Sequence, residues 1–479
     1  MSVVFLTLYL IVLLAVCYRI LFYADTPSKA LAYLFLVVIF PVAGIILYFS
    51  IGLNYRKRKL YKKKLEIDKE IFPKLTEKLI SRSTDVSSRH KKSIGYFYPL
   101  ANFHSHQGFL SDNNTVQLLI NGEEKFAEVL KSLKSAKQHI HIQYYIYEND
   151  EIGNKIAQIL IDKAKEGVEV RFIYDDFGSK NIRNNIVKKL KESGVEARPF
   201  YKINLILLAN RINYRNHRKI IIIDGTEGYV GGINVADKYI NNKKNKLFWR
   251  DTHLKITGPA VFNLQFVFLT DWNFCANQNI AFSRTYFPIS TPEKPSSNQL
   301  VQIVSSGPDS DYQNIKYTLI QAILLAKDEI CITTPYFIPD KSFSDAIIIA
   351  ALSGVKIKLL IPGVSDSWTV NLASHSFFQD LLNAGVEIYK YQKGFVHAKT
   401  MVCDKKIMVV GTANLDNRSF DLNFEINAVV FDEKAAQKLA EVFYEDIQNA
   451  TPLTLEIWKK RPFYIRFFER VFHLFSPLM

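Results

Sequence analysis

The sequence predicts an α/β protein that contains two copies of one domain, preceded by a pair of apolar helices. After about residue 108, β-rich apolar runs alternate with amphipathic helical stretches, and the same order of segments returns in the second half of the chain. Charged residues are almost absent from the first 53 positions. A hydrophobic content of 48% in 479 residues fits a large globular body with a small membrane part.

The N-terminal region predicts two membrane-spanning helices joined by a short turn. Val3–Cys17 carries no charge, and Ile20–Ala24 continues the apolar run after Arg19. Residues 30–53 form a second uncharged run, long enough to cross the hydrocarbon core as a helix. We expect Pro41 to kink this second helix without breaking it. A cleaved signal peptide is the alternative for the first run, but no basic region precedes it and the second run follows too closely.

A strongly basic segment follows the apolar runs. From Tyr55 to Leu100 there are 14 Lys and Arg against 5 Asp and Glu, in a chain of net charge +15. The positive-inside rule predicts that this segment, the N-terminus and the body of the protein face the cytoplasm. The same charge attracts anionic lipid, with about 1 kcal/mol from each basic residue near the surface. The four cysteines are scattered and predict neither a disulfide framework nor a zinc site.

Corresponding segments recur in the second half in the same order. Ser135–Asp150 ("SAKQHIHIQYYIYEND") is matched by Leu325–Asp340 ("LAKDEICITTPYFIPD"), and Ala164–Asp176 is matched by Ala351–Gly363. Such matches predict two copies of one domain rather than a short-period solenoid. The polar run Ser290–Gln299, which contains Pro and Ser, is the predicted linker between the copies.

These observations divide the chain into five predicted regions. A transmembrane hairpin occupies residues 1–54 and a basic juxtamembrane linker residues 55–107. A first α/β domain (108–289) is followed by a linker (290–299) and by a second α/β domain with an amphipathic C-terminal segment (300–479). At helical spacing the C-terminal segment places Phe463, Phe467 and Val471 along one side. It either docks on the core or lies in a membrane interface.

Each copy carries the same pattern of polar residues, HxKx4Dx6G[GT]xN. Its members are His217, Lys219, Asp224 and Asn234 in the first copy, and His397, Lys399, Asp404 and Asn414 in the second. Residues two apart share a face of a strand, so the His and Lys of each copy point the same way. The four isoleucines after Lys219 occupy both faces, as in a strand covered on both sides of a sheet.

A histidine, a fixed ammonium group and an amide together suit a phosphodiester. The Lys and Asn side chains can neutralise and hydrogen-bond the non-bridging oxygens and stabilise charge in the transition state. One histidine can attack phosphorus while the other protonates the leaving oxygen. Asp224 and Asp404 belong to the motif, but their place beyond the strand end indicates fold support more than direct chemistry. The sequence contains no Walker loop, HExxH motif or nucleophile elbow.

The duplicated motif resembles that of the phospholipase D superfamily, and most closely that of the bacterial cardiolipin synthases in it. The resemblance extends from about residue 108 to the end, and "WRDTHLKITGPAV", "ITTPYFIPD" and "GTANLDNRSFDLNFE" support it. It implies two α/β/α-sandwich domains that form a pseudo-dimer around one active site. Gly232 departs from the Ser that many members carry there, so a hydroxyl donor is absent.

The resemblance also implies roles for the motif residues. One histidine forms a phosphatidyl-histidine and the other acts as acid and then base; His217 is favoured as nucleophile and His397 as acid/base, although symmetry does not choose between them. Glu425 is expected to orient His397, and Asp251 to orient His217. The implied phosphate ligands are Lys219, Lys399, Asn234 and Asn414. No metal or cofactor is expected, because the lysines supply the positive charge.

The implied reaction joins two phosphatidylglycerol molecules into cardiolipin and glycerol at a bacterial cytoplasmic membrane. A hydrolytic phospholipase D or a phosphatidylserine synthase would share the motif and differ in the acceptor. A nuclease would suit the basic charge, but the apolar hairpin beside that charge favours a lipid partner over nucleic acid. A non-catalytic membrane scaffold is disfavoured because both motifs are intact. The oligomeric state, the acyl-chain preference and the use of phosphatidylethanolamine stay open.

Overall fold

The computed structural model describes residues 3–24, 27–51, 73–103, 108–201, 214–241, 247–280, 283–288, 297–365, 367–474 and 476. The most basic part of the predicted juxtamembrane linker, residues 55–64, lies outside the described residues. So do most of the predicted linker at 290–299 and the last three residues of the C-terminal segment.

Among the described residues before the body of the protein there are three apolar helices, α1 (Val3–Tyr23), α2 (Pro27–Ile39) and α3 (Pro41–Ile51). The second apolar run was expected to be one kinked helix, and this is wrong, because the chain divides at Phe40. Proline lacks an N–H and its ring crowds the preceding turn, so Pro41 begins a new helix.

The helices α2 and α3 fold back on each other after this division. A Cβ atom on Gly44 would lie 2.5 Å from the carbonyl oxygen of Leu36, so only glycine permits this approach. Within the described residues, no helix is both long and apolar enough to span a membrane. The two predicted spans are therefore not confirmed.

The remaining helices are α4 Pro73–Arg89, α5 Lys91–Ile94, α6 Tyr98–Asn102, α7 Asn121–Ser135, α8 Glu151–Lys165, α9 Ile186–Glu192, α10 Ala260–Ala276, α11 Asn314–Leu325, α12 Lys341–Leu352, α13 Trp368–Asn383, α14 Asn417–Asp421, α15 Glu433–Gln448, α16 Leu455–Lys459 and α17 Phe463–His473. Short 3₁₀ turns occupy Gly95–Phe97, Lys180–Ile182 and Asp237–Tyr239.

The strands are β1 Gly108–Ile120, β2 His139–Tyr144, β3 Glu169–Tyr174, β4 Glu196–Pro199, β5 Arg215–Asn216, β6 Ile220–Ile223, β7 Glu227–Gly231, β8 Phe248–Arg250, β9 Thr252–Thr257, β10 Gln299–Ser306, β11 Glu329–Thr333, β12 Phe337–Ile338, β13 Lys356–Pro362, β14 Glu387–Tyr391, β15 Gly394–Val396, β16 Thr400–Cys403, β17 Ile407–Gly411, β18 Leu415–Asp416, β19 Asn423–Phe431 and β20 Ala450–Leu453.

The main sheet has a symmetric strand order, β20-β14-β13-β11-β16-β17-β19-β10-β1-β9-β7-β6-β2-β3-β4. Outward from the central antiparallel pair β1–β10, the strands β9, β7, β6, β2, β3 and β4 of one half correspond to β19, β17, β16, β11, β13 and β14 of the other. The pairings are antiparallel up to β2 and β11 and parallel from there to β4 and β14. The strand β20 adds an antiparallel edge strand to the second half. This order confirms the predicted repeat, whereas the predicted domain boundaries stay predictions.

Helices cover both faces of the sheet. The helices α10 and α15 pack on one face, in a hydrophobic cluster that both halves share, and α7–α9 and α11–α13 pack on the other face. Ile220 and Ile222 belong to the shared cluster, and Ile221 and Ile223 to the cluster on the opposite face. The strand β6 is therefore buried on both sides, as predicted. Each buried isoleucine contributes about 1.5–3 kcal/mol of hydrophobic stabilisation.

The repeated segments also end in the same way. Asp150 and Asp340, the last residues of the two matched stretches, each cap the N-terminus of the next helix. Their carboxylates accept the N–H of Gly153 and Phe343 at 3.0 Å. Such caps contribute about 1 kcal/mol each and fix where α8 and α12 begin.

One short strand precedes each motif histidine and pairs with a strand of the other half. The strand β5 pairs in parallel with β19 of the second half, and β15 pairs in parallel with β8 of the first half. The N–H of His217 donates to the Phe424 carbonyl at 2.9 Å, and the N–H of His397 donates to the Arg250 carbonyl at 2.7 Å. Each motif histidine is thus held by the backbone of the opposite half.

The C-terminal helix α17 docks against α13. The imidazole Nδ1 of His473 lies 2.9 Å from the Ser376 hydroxyl, and the rings of Phe472 and Trp368 lie 5.4 Å apart. Of the predicted row on this helix, Phe463 and Phe467 are exposed and Val471 is half-buried. The row therefore does not form the docking face.

Candidate active site

The two motif histidines are paired crosswise with carboxylates. Nδ1 of His217 lies 2.9 Å from Glu425, and Nδ1 of His397 lies 2.7 Å from Asp251. The expectation that each histidine uses the carboxylate of its own half is wrong. Because β5 runs beside β19 and β15 beside β8, each histidine emerges next to the carboxylate of the other half.

Both imidazoles are nearly buried and share one electrostatic environment. Burial lowers the pKa of His217 to about 4, and the ammonium groups of Lys219 and Lys399 add to this shift. Burial lowers the pKa of His397 to about 3, with the same two lysines adding to it. Because each histidine is also hydrogen-bonded to the carboxylate of the other half, the two motifs form one site.

A neutral imidazole in this setting has a defined tautomer. With the Nδ1 proton donated to the carboxylate, Nε2 carries the lone pair and is available to a ligand. Each histidine can therefore act as a nucleophile or as a base without first losing a proton.

The motif lysines are buried beside their histidines. Nζ of Lys219 donates to the carbonyl of His217 at 2.7 Å, and Nζ of Lys399 donates to the carbonyl of His397. Burial lowers the pKa of Lys219 to about 7, and the neighbouring Lys399 ammonium adds to the shift against the opposing charge of Glu425. An anionic ligand would raise this pKa again, so the site favours binding of a negative charge.

The two carboxylates are supported differently. Burial raises the pKa of Glu425, but the histidine, the lysine and hydrogen bonds outweigh burial and hold it below its usual value. One of these bonds comes from the Thr412 hydroxyl. At the equivalent place of the other half a Cβ atom on Gly232 would lie 2.1 Å from Oδ1 of Asp251. Gly232 thus lacks a hydroxyl, as noted from the sequence, and leaves room for Asp251 to approach.

The motif asparagines are buried close to this centre. The side-chain Oδ1 of Asn234 accepts the N–H of Ile146 at 3.2 Å, and its Nδ2 donates to the Tyr239 hydroxyl at 3.1 Å. Oδ1 of Asn414 is buried and has no hydrogen-bond partner among the described residues. Asn234 therefore keeps one amide N–H for a ligand, and Asn414 keeps its carbonyl.

Asp224 and Asp404 lie at the far ends of their strands, away from the histidines. The Asp224 carboxylate accepts the N–H groups that open β2, from residues 137–139, and the Asp404 carboxylate accepts those that open β11, from residues 327–329. Five residues of strand beyond each lysine correspond to about 17 Å. These contacts fit the interpretation of both aspartates as fold support, and the structure does not bring their carboxylates to the histidines.

Aromatic rings border the two histidines, and the sequence reasoning missed them. The Tyr145 ring lies 4.9 Å from that of His217. The Trp249 and Phe395 rings lie 5.6 and 6.0 Å from that of His397. The period of two along a strand provided a signal for Trp249 and Phe395, because each stands two residues before a site residue. Tyr145 follows the end of β2 and had no such signal.

Comparison with known proteins identifies the family. The sequence profile of the family "Cardiolipin synthase, PLD-like domain" matches residues 129–258 and 319–447. Cardiolipin synthase 2 of Bacillus anthracis is 39% identical over 465 residues, which cover 95% of this chain and 87% of that protein. The major cardiolipin synthase ClsA of Bacillus subtilis (strain 168) is 42% identical over 460 residues, which cover 94% of each. The chain belongs to this family.

Each of the two segments that match the cardiolipin synthase family contains one HxK motif and one of the paired carboxylates. The fold itself recurs in the crystal structure of phosphatidylserine synthase from Haemophilus influenzae Rd KW20. The TM-score is 0.57 at 14% identity, over 76% of this chain and 95% of that one.

Proposed function

We propose that the chain is a cardiolipin synthase, which transfers the phosphatidyl group of one phosphatidylglycerol to a second one and releases glycerol. The observation that carries this proposal is the pair of carboxylate–histidine–lysine sets in one buried site. It stands within a chain that is 42% identical to a cardiolipin synthase over 94% of both proteins.

In the first step, Nε2 of one histidine attacks the phosphorus of the donor lipid. The bond between phosphorus and the glycerol oxygen breaks, and the other histidine gives its Nε2 proton to that oxygen. We assign the attack to His217 and the proton transfer to His397, as the sequence favours. Burial lowers the pKa of both imidazoles in the empty site, to about 4 for His217 and about 3 for His397, so these values alone do not divide the two roles. The negative charge of a bound phosphate raises the pKa of His397 and allows it to hold the proton.

The lysines and asparagines hold the phosphate during this step. Lys219 and Lys399 neutralise the non-bridging oxygens and stabilise the charge that develops in the transition state. Their carbonyl-bonded positions beside the histidines keep both ammonium groups at the reacting centre. Asn234 contributes its remaining amide N–H, and the Asn414 carbonyl accepts a hydroxyl proton from the glycerol headgroup.

In the second step, a hydroxyl of the second phosphatidylglycerol replaces the departed glycerol. His397 removes the proton from that hydroxyl, the oxygen attacks phosphorus, and the bond between phosphorus and Nε2 of His217 breaks. The product is cardiolipin, and both histidines return to their starting protonation states. Burial of both imidazoles limits access of water to the covalent intermediate.

We further infer that the enzyme is a multi-pass protein of the bacterial cytoplasmic membrane, with its N-terminal helices as the anchor and its catalytic body on the cytoplasmic side. Large apolar side chains on these helices are exposed, among them Leu14, Phe35 and Val42 at 68%, 67% and 71%. Such a surface needs an apolar environment. The basic residues that follow it in the sequence favour the cytoplasmic orientation.

The decisive experiment supplies purified enzyme with phosphatidylglycerol alone and measures all lipid products. We expect cardiolipin and glycerol in equal amounts, and no product from a variant with both motif histidines replaced by Asn. Phosphatidic acid as the main product would identify a hydrolase. Formation of phosphatidylserine from CDP-diacylglycerol and serine would identify a phosphatidylserine synthase. Cleavage of DNA with no lipid turnover would identify a nuclease.

A further inference from the structure

The C-terminal helix α17 turns its acidic residue inward and its aromatic rings outward. Glu469 is 3% exposed, and its carboxylate contacts the guanidinium of Arg461 and, at 3.4 Å, the imidazole of His375. Four aromatic side chains of the helix are exposed instead, Phe463, Tyr464, Phe467 and Phe468. A docked surface helix ordinarily exposes its polar face, whereas this helix exposes four aromatic side chains and buries its one acid.

The exposed aromatic face continues onto neighbouring elements. Trp368 at the start of α13 is 65% exposed, and its ring contacts that of Phe472 at 5.4 Å. Ile457 of α16 and Leu474 after α17 are also exposed. We call this surface, formed by Trp368, Ile457, Phe463, Tyr464, Phe467, Phe468 and Leu474, the aromatic face.

Positive charge borders the aromatic face. Lys459, Lys460, Arg466 and Arg470 are exposed, and the acid among residues 459–474 is Glu469, which is buried. A surface that combines exposed aromatic rings with basic residues matches the boundary between the acyl chains and the headgroups of an anionic bilayer. A water-facing helix would not gain from this arrangement.

We propose that the aromatic face inserts into the interface of an anionic phospholipid bilayer, as a membrane contact of the catalytic body separate from helices α1–α3. This proposal rests on the proposed function, because phosphatidylglycerol is both the substrate and the anionic lipid that the basic residues recognise. The contact brings the outer side of the second half, where α13 and α17 lie, down to the bilayer.

A fluorescent probe on α17 tests this contact in the full-length chain. The apolar helices α1–α3 also favour vesicles, so total binding does not isolate the contribution of α17. We therefore place an NBD probe at Phe467→Cys in a background with Cys17 and Cys275 replaced by Ser, since Cys331 and Cys403 are buried. The matched control carries the probe at Lys188→Cys on α9, an exposed position of the first half.

The probe at position 467 should shift to shorter emission wavelength in phosphatidylglycerol vesicles, and lipids with doxyl groups near the headgroup should quench it. The probe at position 188 should stay water-like. A water-like probe at position 467 would overturn the proposal. A blue shift without lipid quenching would also overturn it, because a protein surface would then cover the helix. Cardiolipin formation in detergent micelles is measured in parallel, and its failure would concern the proposed function alone.

Substitutions provide a second measurement that does not depend on the probe. The double variant Phe467→Ser/Phe468→Ser should lower turnover of vesicle substrate by about tenfold relative to turnover in micelles, because two large apolar contacts are lost. The matched variant Phe467→Leu/Phe468→Leu keeps the apolar character and should retain most of the vesicle rate. An equal loss in vesicles and micelles, or no loss in either, would contradict the membrane contact.

Discussion

The two halves of the molecule present the same reactive groups in different surroundings. Around His217 the preceding strand carries Arg215, whose guanidinium lies 4.3 Å above the Phe177 ring. The equivalent position before His397 is Phe395, which packs on Trp249 at 4.9 Å. The residue two positions before the histidine is thus cationic in the first half and aromatic in the second.

The contacts of the two paired carboxylates differ as well, although their hydrogen bonds to the histidines are alike. The Glu425 carboxylate, which pairs with His217, accepts a hydrogen bond from the Thr412 hydroxyl. The Asp251 carboxylate, which pairs with His397, lies so close to Gly232 that a Cβ there would clash with it. The duplication has therefore preserved the chemistry of each set while its neighbours diverged. Such divergence is what two histidines need if one attacks phosphorus and the other transfers protons.

Replacing either histidine should have the largest effect. His217→Asn and His397→Asn should each lower cardiolipin formation by about 10⁴-fold or more, because residues that act as one unit lose function together. A phosphatidyl substrate with a p-nitrophenol leaving group does not need the acid. In the His397→Asn variant this substrate should leave an adduct on His217, which mass spectrometry can locate.

The same experiment decides between the halves. An adduct on His397 in the His217→Asn variant, with none in the reverse case, would exchange the two roles. Cardiolipin formation at the wild-type rate in either variant would contradict the site itself.

Removing a paired carboxylate should have the next largest effect. Glu425→Gln and Asp251→Asn should each lower turnover by about 10²- to 10⁴-fold, because the histidine loses the group that fixes its tautomer. The crosswise pairing also predicts which histidine responds. NMR titration should show a changed pKa for His217 in Glu425→Gln and for His397 in Asp251→Asn. The opposite assignment would restore the pairing within each half.

That crosswise pairing marks the limit of what the sequence predicts here. The spacing within one strand correctly indicated the buried isoleucines of β6, because the period of two is a local property. The His and Lys of each motif were expected within a strand, but they lie in the short connections between β5 and β6 and between β15 and β16. The contact between His217 and Glu425 joins positions 208 residues apart and depends on how β5 meets β19. No local spacing encodes that meeting, so the nearer carboxylate was chosen instead.

The same distinction explains the other outcomes. Asp224 was interpreted as fold support because its place past the strand end is visible in the sequence, and its three backbone hydrogen bonds agree. The division of the second apolar run at Phe40 was missed because Pro41 either kinks or ends a helix. Packing between α2 and α3 decides between these outcomes, and it requires Gly44 at a place that periodicity does not reveal.

The different contacts of the two carboxylates should lead to different losses of turnover when Gly232 and Thr412 are substituted. Gly232→Ala should lower turnover by about 10- to 100-fold, because the new Cβ would displace the Asp251 carboxylate from His397. Thr412→Val should lower turnover by about tenfold, the effect of one lost hydrogen bond to a charged group. Thr412→Ser keeps the hydroxyl and is the matched control. Equal rates for Thr412→Val and Thr412→Ser would mean that the hydroxyl does not position Glu425.

Acid should destabilise the fold through the buried histidines. The folded-state pKa values of His217 and His397 are about 4 and 3, below the ordinary value of 6.5. Between pH 6.5 and 4 the unfolded chain therefore binds protons that the folded chain does not, so stability falls as the pH falls through this window. The slope is at most about 1.4 kcal/mol per pH unit for each histidine.

Chemical denaturation between pH 7 and 4 measures this effect. The double variant His217→Asn/His397→Asn should show a shallower loss of the free energy of unfolding than the wild-type protein. A slope equal to that of the wild type would mean that these two imidazoles take up protons in the folded state.

The smallest differences should come from the motif aspartates, which act on stability rather than turnover. Asp224→Ala and Asp404→Ala leave the backbone N–H groups that open β2 and β11, respectively, without an acceptor. The loss lowers the free energy of unfolding by about 1–3 kcal/mol for each such group that is buried. Asp404 also accepts the Tyr96 hydroxyl at 2.6 Å, a bond that ties the helices before β1 to the second half. Asp404→Ala should therefore lower the free energy of unfolding more than Asp224→Ala, by about 1 kcal/mol. Tyr96→Phe should remove that difference when it is combined with each substitution. Turnover per folded molecule should stay near the wild-type value in both, and a strong loss of turnover at full stability would assign these aspartates a catalytic role.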